Sequence, residues 1–440
     1  MTRQPAEDDR DSGNAPADPA GSDSGRIRLG RHTFRSFTNP VFRLFFGAQM
    51  GQMAAMNMQM MARVLLVKHL TESPAMAGLV TVAYMLPMLL LSVFGGIIAE
   101  RVQKKYVIAI GQVSTAVFAL VIAFALMAGY LSKEVPGSWW ILVVASVFQG
   151  ATGGLMMPAR QAIMPEIVGG TKELLNAISL SNLGSNALRI VSPAAAGFLI
   201  DGLGIDGFGF PAIYLAIAGC YLVATAFALA LPRTGTIGRR GSGTFADIVA
   251  GFRYVRNEKT LLWLLGFSLL TVVLSMPYIQ LMPFIAEDIL GKGASGMGWL
   301  LSISGVGAIA GSLVLASLPN RKRGLMLLIS GVIMGGALVA FAASSSWPLS
   351  LAIMVLVGLG QTGRMTLSNT LVQYYVADEY RGRVMSIYTM NFGFAAFGVF
   401  AAGMMAESMG VQWAVGGFAG ALLVLSALAF FVVPRIRRLD

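Results

Sequence analysis

Twelve long apolar stretches follow one another through the chain, parted by short polar turns: roughly 41–67, 75–99, 106–130, 139–160, 176–200, 210–231, 260–286, 294–318, 324–344, 348–372, 383–407 and 412–434. A bilayer core of about 30 Å takes about 20 residues of helix, and lipid offers no water to satisfy backbone amides, so each stretch is expected to be a spanning helix. Composition agrees: 56% of the residues are hydrophobic and only 12% charged, about half the charged fraction of an ordinary soluble domain. The expectation is an all-α membrane protein.

Orientation follows from Lys and Arg, which flank spans on the cytoplasmic side. With the N-terminus inside, that side collects Arg26, Arg28, Arg31, Arg35, Arg101, Lys104, Lys105, Lys172, the six basic residues from Arg233 to Lys259, Arg321 to Arg323, Arg381, Arg383, Arg435, Arg437 and Arg438. The outer loops keep little beyond Lys68, Lys133 and Lys292. The net charge of +11 is therefore topology, and it calls for no nucleic acid partner. Both termini are expected in the cytoplasm of a multi-pass protein of the inner or plasma membrane.

The polar stretch 232–259 divides the spans six and six. The chain thus reads as a disordered cytoplasmic tail (1–38), a six-helix bundle (39–231), a cytoplasmic linker (232–259), a second six-helix bundle (260–434) and a short tail (435–440). The halves repeat weakly. "MAGLV" at Met76 is echoed by "MGWLL" at Met297, and "ERVQKK" after the second run by "NRKRG" after the eighth. Parallel repeats of this kind imply a substrate site where two bundles meet near the midplane.

The loop after the second run carries Gly96, Glu100, Arg101, Lys104 and Lys105. In this it resembles the major facilitator superfamily, whose loop there reads Gly, three residues, Asp, Arg, one residue, Gly, Arg, Lys or Arg. Glu100 stands in place of Asp, and Gln103 in place of the second glycine. "NPVFRLFFGAQMGQ", "DIVAGFRYVRNEKTLL" and "RGRVMSIYTMNFG" are similar to the enterobactin-exporter-like branch of siderophore and drug exporters. The resemblance covers about residues 39–434. It implies the major facilitator fold, with twelve transmembrane helices in two six-helix bundles, and makes the charged loop a gating element at the cytoplasmic seam.

Polar residues at bilayer depth are costly and mark function by default. Asn182, Asn186, Arg189 and Pro193 share a face of the fifth run, Gln361, Arg364 and Ser368 a face of the tenth, and Gln49, Gln52, Met56, Gln59 and Arg63 a face of the first. The candidate substrate-binding set is Gln52, Gln59, Asn182, Asn186, Arg189, Gln280, Gln361, Arg364 and Asn391. Glue between helices is the competing reading for any single amide. Arg189 and Arg364 are expected to face the chamber and give it positive potential, whereas Arg63 is expected to snorkel outward. Glu166 is expected in the turn after the fourth run.

No Asp or Glu lies near the centre of any run, so the candidates for a proton carrier, Glu100, Glu407, Asp201 and His69, are all peripheral. "RIVSPAAAG" is similar to the Gly-Pro segment of superfamily antiporters, with Ser192 where glycine is usual. The methionine-rich "MGQMAAMNMQMM" reads as pliant lining rather than a copper path. There is no phosphate loop, zinc pattern or nucleophile with a nearby base, so no enzyme, cofactor or metal is expected. One cysteine, Cys220, excludes a disulfide within the chain.

The resulting expectation is a monomeric secondary transporter that exports amphiphilic small molecules, siderophore or drug-like and anionic in part, by alternating access coupled to protons. Its partners are the small-molecule substrate, the lipid bilayer and protons. An uptake permease for an organic anion and a transporter-like sensor that moves nothing are the alternatives.

Overall fold

The computed structural model describes residues 35–168, 171–203, 208–233, 244–319, 321–437 and 439. Every regular element among them is helical. The first half holds α1 (Pro40–Thr71), α2 (Pro74–Arg101), α3 (Lys104–Met127), α4 (Trp140–Ile167), α5 (Thr171–Gly202) and α6 (Gly209–Leu229). A connecting helix, α7 (Thr244–Asn257), follows. The second half begins with a broken span, α8 (Lys259–Ser275), α9 (Pro277–Phe284) and the π-helical turn Ile285–Ile289. It continues with α10 (Ala294–Ser317), α11 (Arg323–Ala343), α12 (Trp347–Tyr375), α13 (Arg381–Met409), α14 (Val411–Val432) and the short α15 (Pro434–Arg437).

Eleven helical stretches among the described residues are long and apolar enough to cross a membrane. The remaining span is α1, 32 residues long, whose amides, Lys68 and Arg63 dilute its hydropathy. It packs within the first half against α5 and α6 all the same. Twelve spans alternate in direction, so the start of α1 and the end of α14 lie on one face, termed the termini face, opposite a distal face.

Local signals set the sharp turns. Asn39 caps α1 by accepting from the Val41 and Phe42 N–H groups at 2.9 and 3.4 Å, with Pro40 at the first helical position. Ser73 caps α2 from the Met76 N–H at 3.2 Å, with Pro74 likewise placed. Between them Glu72 takes a left-handed φ of 51°, which folds α1 back into α2 within two residues.

Helix bounds outrun the apolar runs where backbone bonding continues past the lipid core. Thus α1 extends to Thr71 and takes in Lys68, which is in its last turn rather than in a loop. Likewise α4 extends to Ile167, so Glu166 sits in that helix's last turn rather than in the turn after it. The polar stretch 232–259 contains α7, which docks on α13: the Tyr254 ring stacks on Tyr380 with centroids 4.2 Å apart, and the Tyr254 hydroxyl accepts from the Ala377 N–H at 3.2 Å. The chain's last residues are docked as well, because the Leu439 carbonyl accepts from the Gly324 N–H at 3.0 Å and Ile436 is buried. The expected tail before residue 35 lies outside the described residues.

The core shows how the halves meet. One apolar cluster draws on both, with Val64, Leu66, Ile122 and Tyr214 from the first packed into the same mass as Met282, Phe284, Leu300 and Phe341 from the second. These positions fall toward the distal ends of their helices. Two further clusters fall toward the termini face, and each belongs to one half: Phe42, Ile163 and Leu180 in the first, Leu261, Leu371 and Val384 in the second.

The halves touch along two seams, α2 against α13 and α5 against α10. Glycine lets the backbones close there. A Cβ on Gly403 would sit 2.5 Å from the Pro74 carbonyl oxygen, and one on Gly197 would sit 2.5 Å from that of Ala294. Close approach of this kind replaces the hydrophobic drive that helices lack in lipid.

Candidate functional site

Polar side chains of α1, α4 and α5 converge on a cavity of about 570 Å³, inside the range of ligand pockets. Its wall runs from Phe45 to Tyr221, so it is built wholly from the first half. Gln49, Gln52 and Gln59 enter from α1, Tyr84 and Met88 from α2, Gln149 and Arg160 from α4, Asn182 from α5 and Tyr221 from α6. Spacing explains the convergence: 49, 52, 56 and 59 repeat at three and four on α1, and 149, 153, 157, 160 and 164 do so on α4.

The amides form a partly satisfied network. Gln112 Nε2 donates to Gln52 Oε1 at 3.2 Å, Gln52 Nε2 donates to Met156 Sδ at 3.6 Å, and the Tyr221 hydroxyl donates to Gln59 Oε1 at 3.1 Å. Gln59 Nε2, Gln149 Nε2 and Gln49 Oε1 remain buried without a partner among the described residues. Such atoms cost about 1–3 kcal/mol each when left unmet. Arg160, half-buried, makes no hydrogen bond or ion pair among the described residues, and Tyr221 lies within its electrostatic reach. No carboxylate lines the cavity.

The expected substrate set divides. Gln52, Gln59 and Asn182 share this cavity. Arg189 instead bonds across the halves, its Nη2 2.8 Å from Gln361 Oε1. Asn186 is exposed on α5. Gln280 is buried, with its Oε1 unpartnered among the described residues. Arg364 is 1% exposed inside the second half, near Tyr278 and Tyr388, with Nη1 3.5 Å from Thr271 Oγ1. It is packed, not presented to an open chamber. Asn391 lines a separate cavity of about 640 Å³ between α7, α8 and α13.

Arg63 departs from expectation. Its guanidinium does not snorkel: the residue is 7% exposed and lies 4.2 Å from the centroid of the Tyr84 ring. An aromatic face gives a cation a partner at depth and removes the reason to reach for water. Arg160 was the residue that spacing could have found and did not, because it stands at the very end of the fourth apolar run. The signal was the stripe it shares with Gln149 on α4.

The charged loop ties parts of one half together. Lys104 Nζ pairs with Glu166 Oε1 at 2.6 Å, joining α3 to α4. Lys105 Nζ donates to the Leu231 and Leu229 carbonyls at 2.8 and 3.4 Å, capping the end of α6. Arg101 is exposed. Gly96 and Glu100 fall in the last turns of α2, and their surroundings lie outside the described residues.

The cross-half polar contacts gather at the distal face. Lys68 Nζ, on α1, pairs with Glu287 Oε2 at 2.9 Å and Asp288 Oδ1 at 2.6 Å on the π-helical turn. Asp201, at the end of α5, accepts from the Ala294 and Ser295 N–H groups at 3.1 and 2.6 Å, and so caps α10. The Ser73 hydroxyl, before α2, donates to Glu407 on α13.

Residues 45–395 match the family model of the Major Facilitator Superfamily, with a second match over 281–439. The chain is 24% identical over 335 residues to the staphyloferrin A transporter of Staphylococcus aureus, spanning 76% of this chain and 81% of the relative. It is 25% identical over 413 residues to the enterobactin exporter EntS of Shigella boydii, spanning 91% and 94%. Among solved structures it superposes on the nucleoside transporter NupG with a TM-score of 0.71 at 14% identity, covering 89% of this chain and 99% of that one. A bacterial homolog of the human lysosomal transporter Spinster gives 0.68 at 14%, covering 92% and 98%. An all-helical chain of twelve spans in two bundles, matched along nearly its whole length, belongs to the Major Facilitator Superfamily and is a membrane transporter rather than an enzyme.

Proposed function

We propose that this transporter exports amphiphilic small molecules of siderophore or drug-like size by alternating access, with the termini face in the cytoplasm of the cell membrane and protons driving the cycle. The observation that carries the reading is the asymmetry of the interface: polar and apolar contacts join the halves at the distal face, while among the described residues the apolar clusters at the termini face each belong to one half. That is the geometry of a state loaded from the termini side. The excess of Lys and Arg on that side supports a cytoplasmic placement. The names of the relatives, a staphyloferrin A transporter and an enterobactin exporter, support a siderophore-like cargo.

For the distal face to open, Lys68 must part from Glu287 and Asp288, and Ser73 from Glu407. We place the coupling of the cycle at that step, since a driving ion can shift the equilibrium only by favouring the distal-open state over the closed one. Everted membrane vesicles test the direction: cargo uptake driven by an imposed proton gradient, inside acidic, is the expected result. Uptake only into right-side-out vesicles would reverse the reading to import, and no saturable flux in either would leave only a binding protein.

A further inference from the structure

The first-half cavity has a chemical bias that the family does not dictate. Its one charged lining residue is Arg160, which no carboxylate neutralises among the described residues. The amide residues Gln49, Gln52, Gln59, Gln149, Gln161 and Asn182 share its wall. Arg160 therefore charges the chamber, while the two cations expected from sequence to do so are engaged elsewhere: Arg189 on Gln361 and Arg364 within the second half. The rest of the wall is largely thioether, with Met53, Met56, Met88, Met156 and Met157 around the same space. Methionine gives a pliant apolar surface that accepts varied shapes.

We propose that the chamber binds amphiphilic organic anions, the carboxylate, sulfonate or phenolate head on Arg160 and the apolar body on the methionine side of the wall. The assignment deepens the export reading and depends on it only for the ligand being cargo. The residues that meet the anion in this state then come from the first half.

The test uses the full-length protein in nanodiscs of uncharged phosphatidylcholine and two probes of matched framework, anilinonaphthalene sulfonate and the uncharged phenyl-naphthylamine. Saturable binding is read by fluorescence titration, each probe corrected for empty nanodiscs. The wild type is expected to bind the sulfonate, and Arg160→Ala to weaken it by about tenfold or more, the loss that goes with one charge-assisted hydrogen bond. The amine is expected to change by less than about twofold, since its binding is apolar burial.

Arg160→Lys should restore part of the sulfonate affinity, and Arg160→Gln provides a length-matched variant if the alanine protein does not fold. Arg321→Ala, which removes an exposed charge outside the cavity, controls for general electrostatics. Equal losses for both probes, retention of the sulfonate by Arg160→Ala and Arg160→Gln, or an equal loss in Arg321→Ala would overturn the proposal. Charge-selective binding without gradient-driven flux would uphold it while the export reading fell.

Discussion

The two ends of the interface between the halves are built on different plans. At the distal end, carboxylates on one half find partners on the other: Glu287 and Asp288 with Lys68, Asp201 with the start of α10, Glu407 with Ser73. At the termini end, charged groups find partners inside their own half: Lys104 with Glu166, Lys105 with the end of α6, Arg381 with Asp378. The first arrangement can hold the halves together and be released; the second keeps each bundle rigid while they part. Rocking needs both, a reversible seam and two bodies that do not deform.

The largest effect is expected from backbone contact at the distal seam. Gly197→Ala puts a methyl 2.5 Å from the Ala294 carbonyl oxygen, with only backbone to yield. Overpacking of this kind costs about 2 kcal/mol, or about thirtyfold in the ratio of distal-closed to distal-open protein. A cysteine at Ala406, 4% exposed near the distal end of α13, should become accessible to a membrane-impermeant maleimide in that variant. Unchanged labelling would remove the seam from the account.

Lys68→Ala comes next. It removes the shared cation of Glu287 and Asp288, carboxylates that are more than half exposed. Discounted for solvent screening, the loss is about 1 kcal/mol, about a fivefold shift toward distal opening. The same labelling assay reads it.

Lys104→Ala is the contrast. It should lower the thermal midpoint of the first half by the few degrees that go with about 0.5 kcal/mol and leave distal labelling unchanged. A change in labelling instead would support the role in gating between the halves that family resemblance implies for this loop.

The smallest effect concerns acid. Glu72 lies in the distal loop after α1, where a hydrogen bond and the charge of Lys133, 2.7 Å away, hold its carboxyl below the ordinary value of 4.5. Its contribution is present above that value and is lost as pH falls through the lowered folded-state pKa. Glu72→Gln should therefore separate slightly from wild type in thermal midpoint near neutral pH, and the two curves should merge on strong acidification.

Much of the architecture was legible because lipid imposes one rule on every span: about 20 apolar residues, all backbone bonds internal. The break before Pro277 has a local cause too, since proline has no N–H to give the helix ladder. What could not be read was partnership between spans. Arg63 is stable at depth because of Tyr84, 21 positions on in the sequence and on another helix. Lys68 reads as a loop charge until α1 is seen to carry it into the seam.

Arg189 and Arg364 fall on polar stripes as alike as sequence can make them, yet one crosses to the other half and the other is packed within its own. Periodicity gives the face of a helix, and the neighbour on that face decides whether a polar group is glue or lining.

The asymmetry itself can be measured with spin labels in a chain whose Cys220 is replaced by serine. One pair, Tyr130→Cys with Met409→Cys, spans the halves at the distal face, and the other, Val102→Cys with Tyr374→Cys, spans them at the termini face; all four positions are exposed. In ligand-free proteoliposomes, pulsed dipolar spectroscopy should give a short, narrow distal distance and a long termini-face distance, with Lys68→Ala adding a population in which the order is reversed. A resting protein with a long distal distance and a short termini-face distance would contradict the account.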